Sequence, residues 1–307
     1  MEFDDIVPLA QATRDRLLAQ LGGGMPAHLE DFLDGAERVG RHDAYKVFPR
    51  DVGAVVETVR SQCGVDGMRA FLRAAIAARL LRTLAGPRVG YLPARVRVQQ
   101  LAQFRRIAAD GDETAPWLDL GHDLFHKEFG IAALRLYVAG CQLVDPCCGI
   151  PRSLLLRGTP LDWLRNAAMM LALGGRRPFF EIHVHSFMRE LFSEEGRKEC
   201  YRCCAELYAL HPEVRGMLAG SWFYDPALER VSPRLRHLRT VPQEAGAWLL
   251  CVGATEDAVT NALATSPTRR KLYEEGSYLP KKYMIVWGKA RQQAWARALP
   301  ASSPVGV

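Results

Sequence analysis

At 307 residues, with 49% hydrophobic and 24% charged side chains, the chain has an ordinary globular composition and enough length for one large domain or two smaller ones. A net charge of +6 does not by itself mark a nucleic-acid binder, and no apolar run approaches the roughly 18 residues of a membrane span. The acidic start, Met1-Glu2-Phe3-Asp4-Asp5, lacks the basic and apolar regions of a signal peptide, so a cytoplasmic protein with no membrane partner is expected.

The first hundred residues read as helical. Asp66 is placed to cap a run over 67–81 that is rich in strong helix formers with arginines interspersed, and Gly86-Pro87 ends it. A short helix is expected over 116–130, with Pro116 in its first turn and Gly130 at its end. His122 and His126 then stand four apart on one face and can share a metal ion. Their His-Asp-x-x-His string differs from the zincin His-Glu-x-x-His in carrying the shorter Asp123, and no third ligand is identifiable downstream.

From about residue 134 strands and helices alternate. Strands are predicted over 134–144, 179–187, 216–224, 247–253 and 282–287, and helices over 161–173, 194–210 and 256–275. This pattern predicts an α/β fold, with α+β as the alternative: an N-terminal helical portion followed by a mixed sheet with flanking helices. The expected organisation is a helical portion over 1–115, an α/β catalytic portion over 116–299 that can form one compact domain with it, and a disordered tail over 300–307. Residues 111–115 are the best candidate boundary.

Two loops carry arginines where an acidic metabolite can be held. Cys148-Gly149-Ile150-Pro151-Arg152-Ser153 follows a strand, and Gly174-Gly175-Arg176-Arg177 precedes one. Guanidinium groups bind carboxylate or phosphate through a bidentate fork, which makes Arg152, Arg176 and Arg177 the candidate substrate anchors. The strand that follows, 179–187, places Glu181, His183 and His185 on one face, roughly 7 Å apart at each step of two residues. A sheet has little structural need for three such groups in a row.

Farther along, Cys200-x-x-Cys203 falls in a predicted helix with no second pair at zinc-ribbon spacing, so the cysteines are read as buried thiols. In Ser221-Trp222-Phe223-Tyr224 three aromatics follow one another on a predicted strand. They cannot all face one core, which makes Trp222 and Tyr224 candidates to line a substrate cavity. Eight basic and two acidic residues lie between Thr268 and Arg297, but no nucleic-acid-binding motif accompanies them, and nucleic acid is not expected as a partner.

The stretch 247–252, then 262–276 with Tyr273, Glu274 and Gly276 at its turn, then 283–287, resembles the closing strand–helix–strand of GNAT acyltransferases over about 45 residues. That resemblance implies acyl transfer from acyl-CoA. The leading expectation rests instead on the histidines. His183, His185 and Glu181 form a two-histidine, one-carboxylate set suited to non-haem iron, or His122 and His126 join His183 and His185 in a nitrogen-rich site for iron or zinc. Iron is preferred to zinc. The expected function is a metal-dependent oxidoreductase of bacterial metabolic type acting on an anionic small molecule, with metal-dependent hydrolysis and GNAT-like acyl transfer as alternatives. Without a metal, Glu181 and His183 can work as an acid–base pair.

Overall fold

The computed structural model describes residues 3–38, 45–109 and 111–300. The fold is α/β, with a helical N-terminal portion followed by a mixed sheet and flanking helices. The chain forms two compact units. Among the described residues, the first runs to Cys147 and takes in Val184–Arg189; the second comprises Cys148–His183 and residues 190–300. The first unit therefore continues past the boundary expected at 111–115. The expected tail, 300–307, lies outside the described residues from 301 on.

The first unit contains α1 (Ile6–Leu21), α2 (Met25–Glu37), α3 (Arg50–Leu84), α4 (Ala94–Ala109) and α5 (Asp123–Ala132), then an antiparallel hairpin of β1 (Tyr137–Ala139) and β2 (Gln142–Cys148). The run expected over 67–81 is the C-terminal half of α3, which bends at Gly64, where φ is +72°. That half is almost wholly buried. Phe71 meets Phe32 edge-on at 5.9 Å, and Phe32 meets Phe129 of α5 at 5.8 Å. Arginines that punctuate the helix turn outward to acids of α2: Arg82 bonds Asp34 at 2.9 Å and also pairs with Glu30, while Arg79 pairs with Glu37. The hairpin is held through side-chain amides. Gln100 of α4 donates to the Ile131 carbonyl at 3.1 Å and accepts the Val138 amide at 2.9 Å.

The second unit contains α6 (Arg152–Leu155), α7 (Pro160–Leu173), β3 (Phe179–Val184), α8 (Glu194–Leu207), β4 (Gly216–Ser221), α9 (Leu228–Val231), α10 (His237–Glu244), β5 (Trp248–Gly253), α11 (Glu256–Leu263), α12 (Pro267–Glu274), β6 (Lys282–Gly288) and α13 (Lys289–Ala298). Its strands lie in the order β3-β4-β6-β5, with β3 and β4 parallel and the other pairs antiparallel. Phe179, Leu218, Leu250, Met284 and Val286 pack with Ile150, Leu154, Met169 and Leu173 of α6, α7 and the turn before them. The opposite side is aromatic: Trp287 meets Tyr201 of α8 at 5.3 Å and Trp295 of α13 at 5.2 Å. Gln292, fully buried, accepts the Tyr208 hydroxyl at 2.6 Å and donates to the Tyr201 carbonyl.

Three expected elements change shape. The long strand over 134–144 is the hairpin β1–β2, turned at Gly140, whose φ is +56°. The helix expected over 256–275 is two helices, because Ser266 caps α12 and Pro267 occupies its first turn. The strand expected over 216–224 stops at Ser221, whose hydroxyl accepts the Phe223 amide at 3.2 Å and starts a 3-10 turn over Trp222–Tyr224.

Strands β4 and β6 meet at Gly216 opposite Gly288. A Cβ on Gly216 would collide with the Trp287 carbonyl oxygen and lie 3.0 Å from the Gly288 Cα, both backbone atoms with no room to yield. Gly216→Ala should therefore destabilise the protein by about 1–3 kcal/mol. Gly53→Ala, in open space on α3, should be neutral or stabilising by up to about 1 kcal/mol. Thermal and urea unfolding of the two variants check the contrast.

Candidate functional site

The predicted histidine strand ends one residue too early to carry all three groups. On β3, Phe180 and Ile182 are buried while Glu181 and His183 are half-buried, so those two share a face as alternation requires. His185 is not part of that row. The strand stops at Val184, and His185 leads into a 3-10 turn over Ser186–Leu191.

His185 is completely buried in the first unit. Its Nδ1 accepts the Phe187 amide at 3.2 Å, which places the neutral ring's proton on Nε2. Nε2 lies 2.9 Å from Glu128 Oε1 of α5, at ion-pair distance but without a straight donor path. The cation on Glu128 is Arg106 of α4, whose guanidinium reaches both carboxylate oxygens at 2.7 Å and stacks 4.7 Å above Phe187. Burial pushes the Glu128 carboxyl up, but His185 and Arg106 together overcome that and hold it below its ordinary value. Nδ1 is thus committed to the Phe187 amide, while Nε2 faces Glu128. His185 lies beyond the end of β3, so Glu181, His183 and His185 do not stand in one row on a strand face as the two-histidine, one-carboxylate set expected.

The helix histidines are separately engaged. Helix α5 begins at Asp123, not near Pro116, because Asp119 Oδ1 accepts the Gly121 amide in a turn and His122 caps the helix by accepting the Leu124 amide at 3.1 Å. His126 lies buried in the first turn, its ring 5.4 Å from that of Phe48. Burial, and then the charge of Lys46, hold its imidazole below the usual histidine value. Asp123, in the position of a general base, is bound by Lys127 at 2.6 Å, by Lys46 and by the Tyr45 hydroxyl. Burial would raise its carboxyl, and the two lysines more than reverse that. Among the described residues, the group of three that lies close enough to hold a metal ion includes none of His122, His126 and His185.

In the second unit His183 has a partner that the sequence did not single out. The Sγ of Cys148 and a ring nitrogen of His183 lie within 4.8 Å of each other, both half-buried. Cys148 ends β2, which also carries Asp145 three residues earlier. Spacing gave no signal for the pair, because 35 residues separate them.

The loop arginines come together in the same unit. The Ile150 amide donates to the Arg176 carbonyl at 3.0 Å, and a Cβ on Gly149 would lie 2.8 Å from that carbonyl oxygen, so only glycine lets the two loops close. Partial burial, and the neighbouring charges of Arg152 and Arg177, lower the Arg176 pKa from its ordinary value. Such a cluster of like charge suits an anion. Trp222 and Tyr224, expected to line a substrate cavity, are both buried. Trp222 lies under the Arg269 guanidinium at 4.6 Å, and the Tyr224 hydroxyl accepts from buried Arg197. Cys200, Cys203 and Cys204 are fully buried on α8, where burial raises the Cys204 thiol well above its ordinary value.

Comparison with protein-family profiles, with curated proteins and with solved structures finds no match to this chain.

Glu128→Gln should cost about 2–3 kcal/mol, because it leaves half-buried Arg106 and buried His185 beside a neutral amide. The carboxyl's folded pKa lies below its ordinary 4.5, so the pair's contribution is fully present above that pH and is lost as pH falls through the folded value. The stability gap between wild type and variant should therefore be constant at neutral pH and close on acidification. Urea unfolding across that range tests the sign.

Proposed function

We propose that the protein is a metal-dependent enzyme acting on an anionic small molecule, with its centre in the second unit. The observation that carries this reading is the approach of Cys148 Sγ and the His183 ring to within 4.8 Å. A tetrahedral ion with bonds of about 2.3 Å to sulfur and about 2.1 Å to nitrogen needs its ligands about 3.6 Å apart, within that limit. A thiolate paired with an imidazole suits zinc better than the oxygen- and nitrogen-rich iron set, and His185 lies off the strand face that carries Glu181 and His183. The reading therefore turns from oxidation towards hydrolysis, in which a bound metal polarises a carbonyl or phosphoryl oxygen.

The chain's own residues take the remaining roles. Arg152, Arg176 and Arg177 hold the substrate's carboxylate or phosphate, and Glu181, on the same face of β3 as His183, carries the proton.

Elemental analysis of the purified protein should find zinc at close to one ion per chain. Cobalt substitution should give a thiolate-to-cobalt charge-transfer band that disappears in Cys148→Ser. His183→Ala should weaken metal binding at least about tenfold with little change in folding. Metal content unchanged in both Cys148→Ser and His183→Ala would overturn the reading.

A further inference from the structure

Helix α7 buries only a narrow stripe, Asn166, Met169 and Leu173, towards the core of the second unit. Nine of its fourteen residues are exposed, and among those nine Arg165 alone is charged. Leu161, Leu164 and Leu171 are 74%, 69% and 83% exposed, and with Ala168 they recur at helical spacing along one outward face. Trp163 and Leu156, the latter in the turn before the helix, add two more exposed apolar side chains. This helix is apolar on both sides, yet the fold covers one.

The charge around it is one-sided. Residues 152–177 hold five arginines (Arg152, Arg157, Arg165, Arg176 and Arg177) against one acid, Asp162, a net +4. Asp162 is taken up by the capping box of α7, where it accepts the Thr159 amide at 2.8 Å. Bonds from Thr159, and then the charge of Arg165, hold the Asp162 carboxyl below its ordinary value, and Arg157 and Arg176 donate to the backbone carbonyls of Val252 and Ile150, which leaves their charge without an acid against it. Arginines thus precede the helix, follow it and stand at its middle, on long side chains that can reach past an apolar face.

We propose that this face docks onto the surface of an anionic lipid bilayer, its leucines and Trp163 entering the headgroup boundary and its arginines meeting lipid phosphates. The helix is about 21 Å long at 1.5 Å per residue, too short to cross, so it lies flat. The absence of a membrane span leaves such attachment open. Charge decides among the occupants. A second copy would set +4 against +4 while joining the apolar faces, whereas an anionic bilayer complements both. The inference needs no metal, but it enlists Arg152, Arg176 and Arg177, which the proposed function gives to the substrate, so its test is run with chelator present and substrate absent.

The test is co-sedimentation of the full chain with phosphatidylcholine vesicles, with and without phosphatidylglycerol, at low and raised salt. Binding should require the anionic lipid and fall as salt rises. The double variant Leu164→Glu/Leu171→Glu should lower partitioning by about tenfold or more with an unchanged melting temperature, since neither side chain contributes to the core. Arg165→Gln should weaken it by about fivefold. Equal binding to neutral vesicles, or full binding by the double variant, would overturn the proposal. So would failure to bind anionic vesicles at low salt. Light scattering then separates self-association, seen as a dimer that the double variant breaks, from docking on an acidic protein helix.

Discussion

A carboxylate taken out of water has to be matched, and Glu128 is matched by residues from two other stretches of chain. Arg106 reaches it from α4, and His185 from the segment that leaves β3. Desolvation of an ionised carboxylate costs several kcal/mol, so any arrangement that withdraws either partner is strongly disfavoured. The consequence is local and geometric. His185 cannot continue the strand's alternation, the chain bends into a 3-10 turn, and Phe187 comes to lie beneath the Arg106 guanidinium. The position of His183, last of the row still on the strand face, follows from where that bend falls.

Much of the fold is legible in the sequence because each element buries one face and its period shows. Strands β5 and β6 and helices α7 and α8 stand within a few residues of where alternation and helical spacing put them. The departures share a cause: a polar side chain bonds to nearby backbone and ends an element whose hydrophobic pattern continues. Ser221 does this before Trp222, Ser266 before Pro267, and His122 before α5. The Ser-Pro signal at 266–267 is visible in the sequence. Histidine as a helix cap carries no comparable signature. Of the candidate site, the loop arginines and Glu181 with His183 were legible because neighbours in sequence remain neighbours on a strand or turn. Cys148 was not, since its approach to His183 is a tertiary contact that no period encodes.

The arginines divide by what faces them. Arg197 sits fully buried among the rings of Phe192, Tyr201 and Tyr224, and Arg269 lies over Trp222 while donating to the Ala262 carbonyl and the Ser232 hydroxyl. Guanidinium groups are weakly hydrated and stack on aromatic faces, so they tolerate such settings. Much of the basic stretch near the C-terminus is consumed in this way: Arg291 stacks on Trp248, Lys289 on Tyr208, and Lys282 pairs with Asp257. Positive charge with little acid against it gathers instead around α7, between the two arginine-bearing loops.

The aromatic residues are distributed so that the two units differ optically. The first unit's core is built on phenylalanines, Phe32, Phe48, Phe71, Phe125 and Phe129, whereas the second carries Trp163, Trp222, Trp248, Trp287 and Trp295. Tryptophan emission therefore reports mainly on the second unit, and loss of the phenylalanine core would pass almost unseen at those wavelengths. Trp117 is the exception. It is the first unit's lone indole, and it meets Phe187 edge-on at 6.4 Å, on the segment that Glu128 holds through His185. A chain retaining Trp117 alone would carry a built-in fluorophore for the seating of that segment, resolved from everything that happens around the sheet.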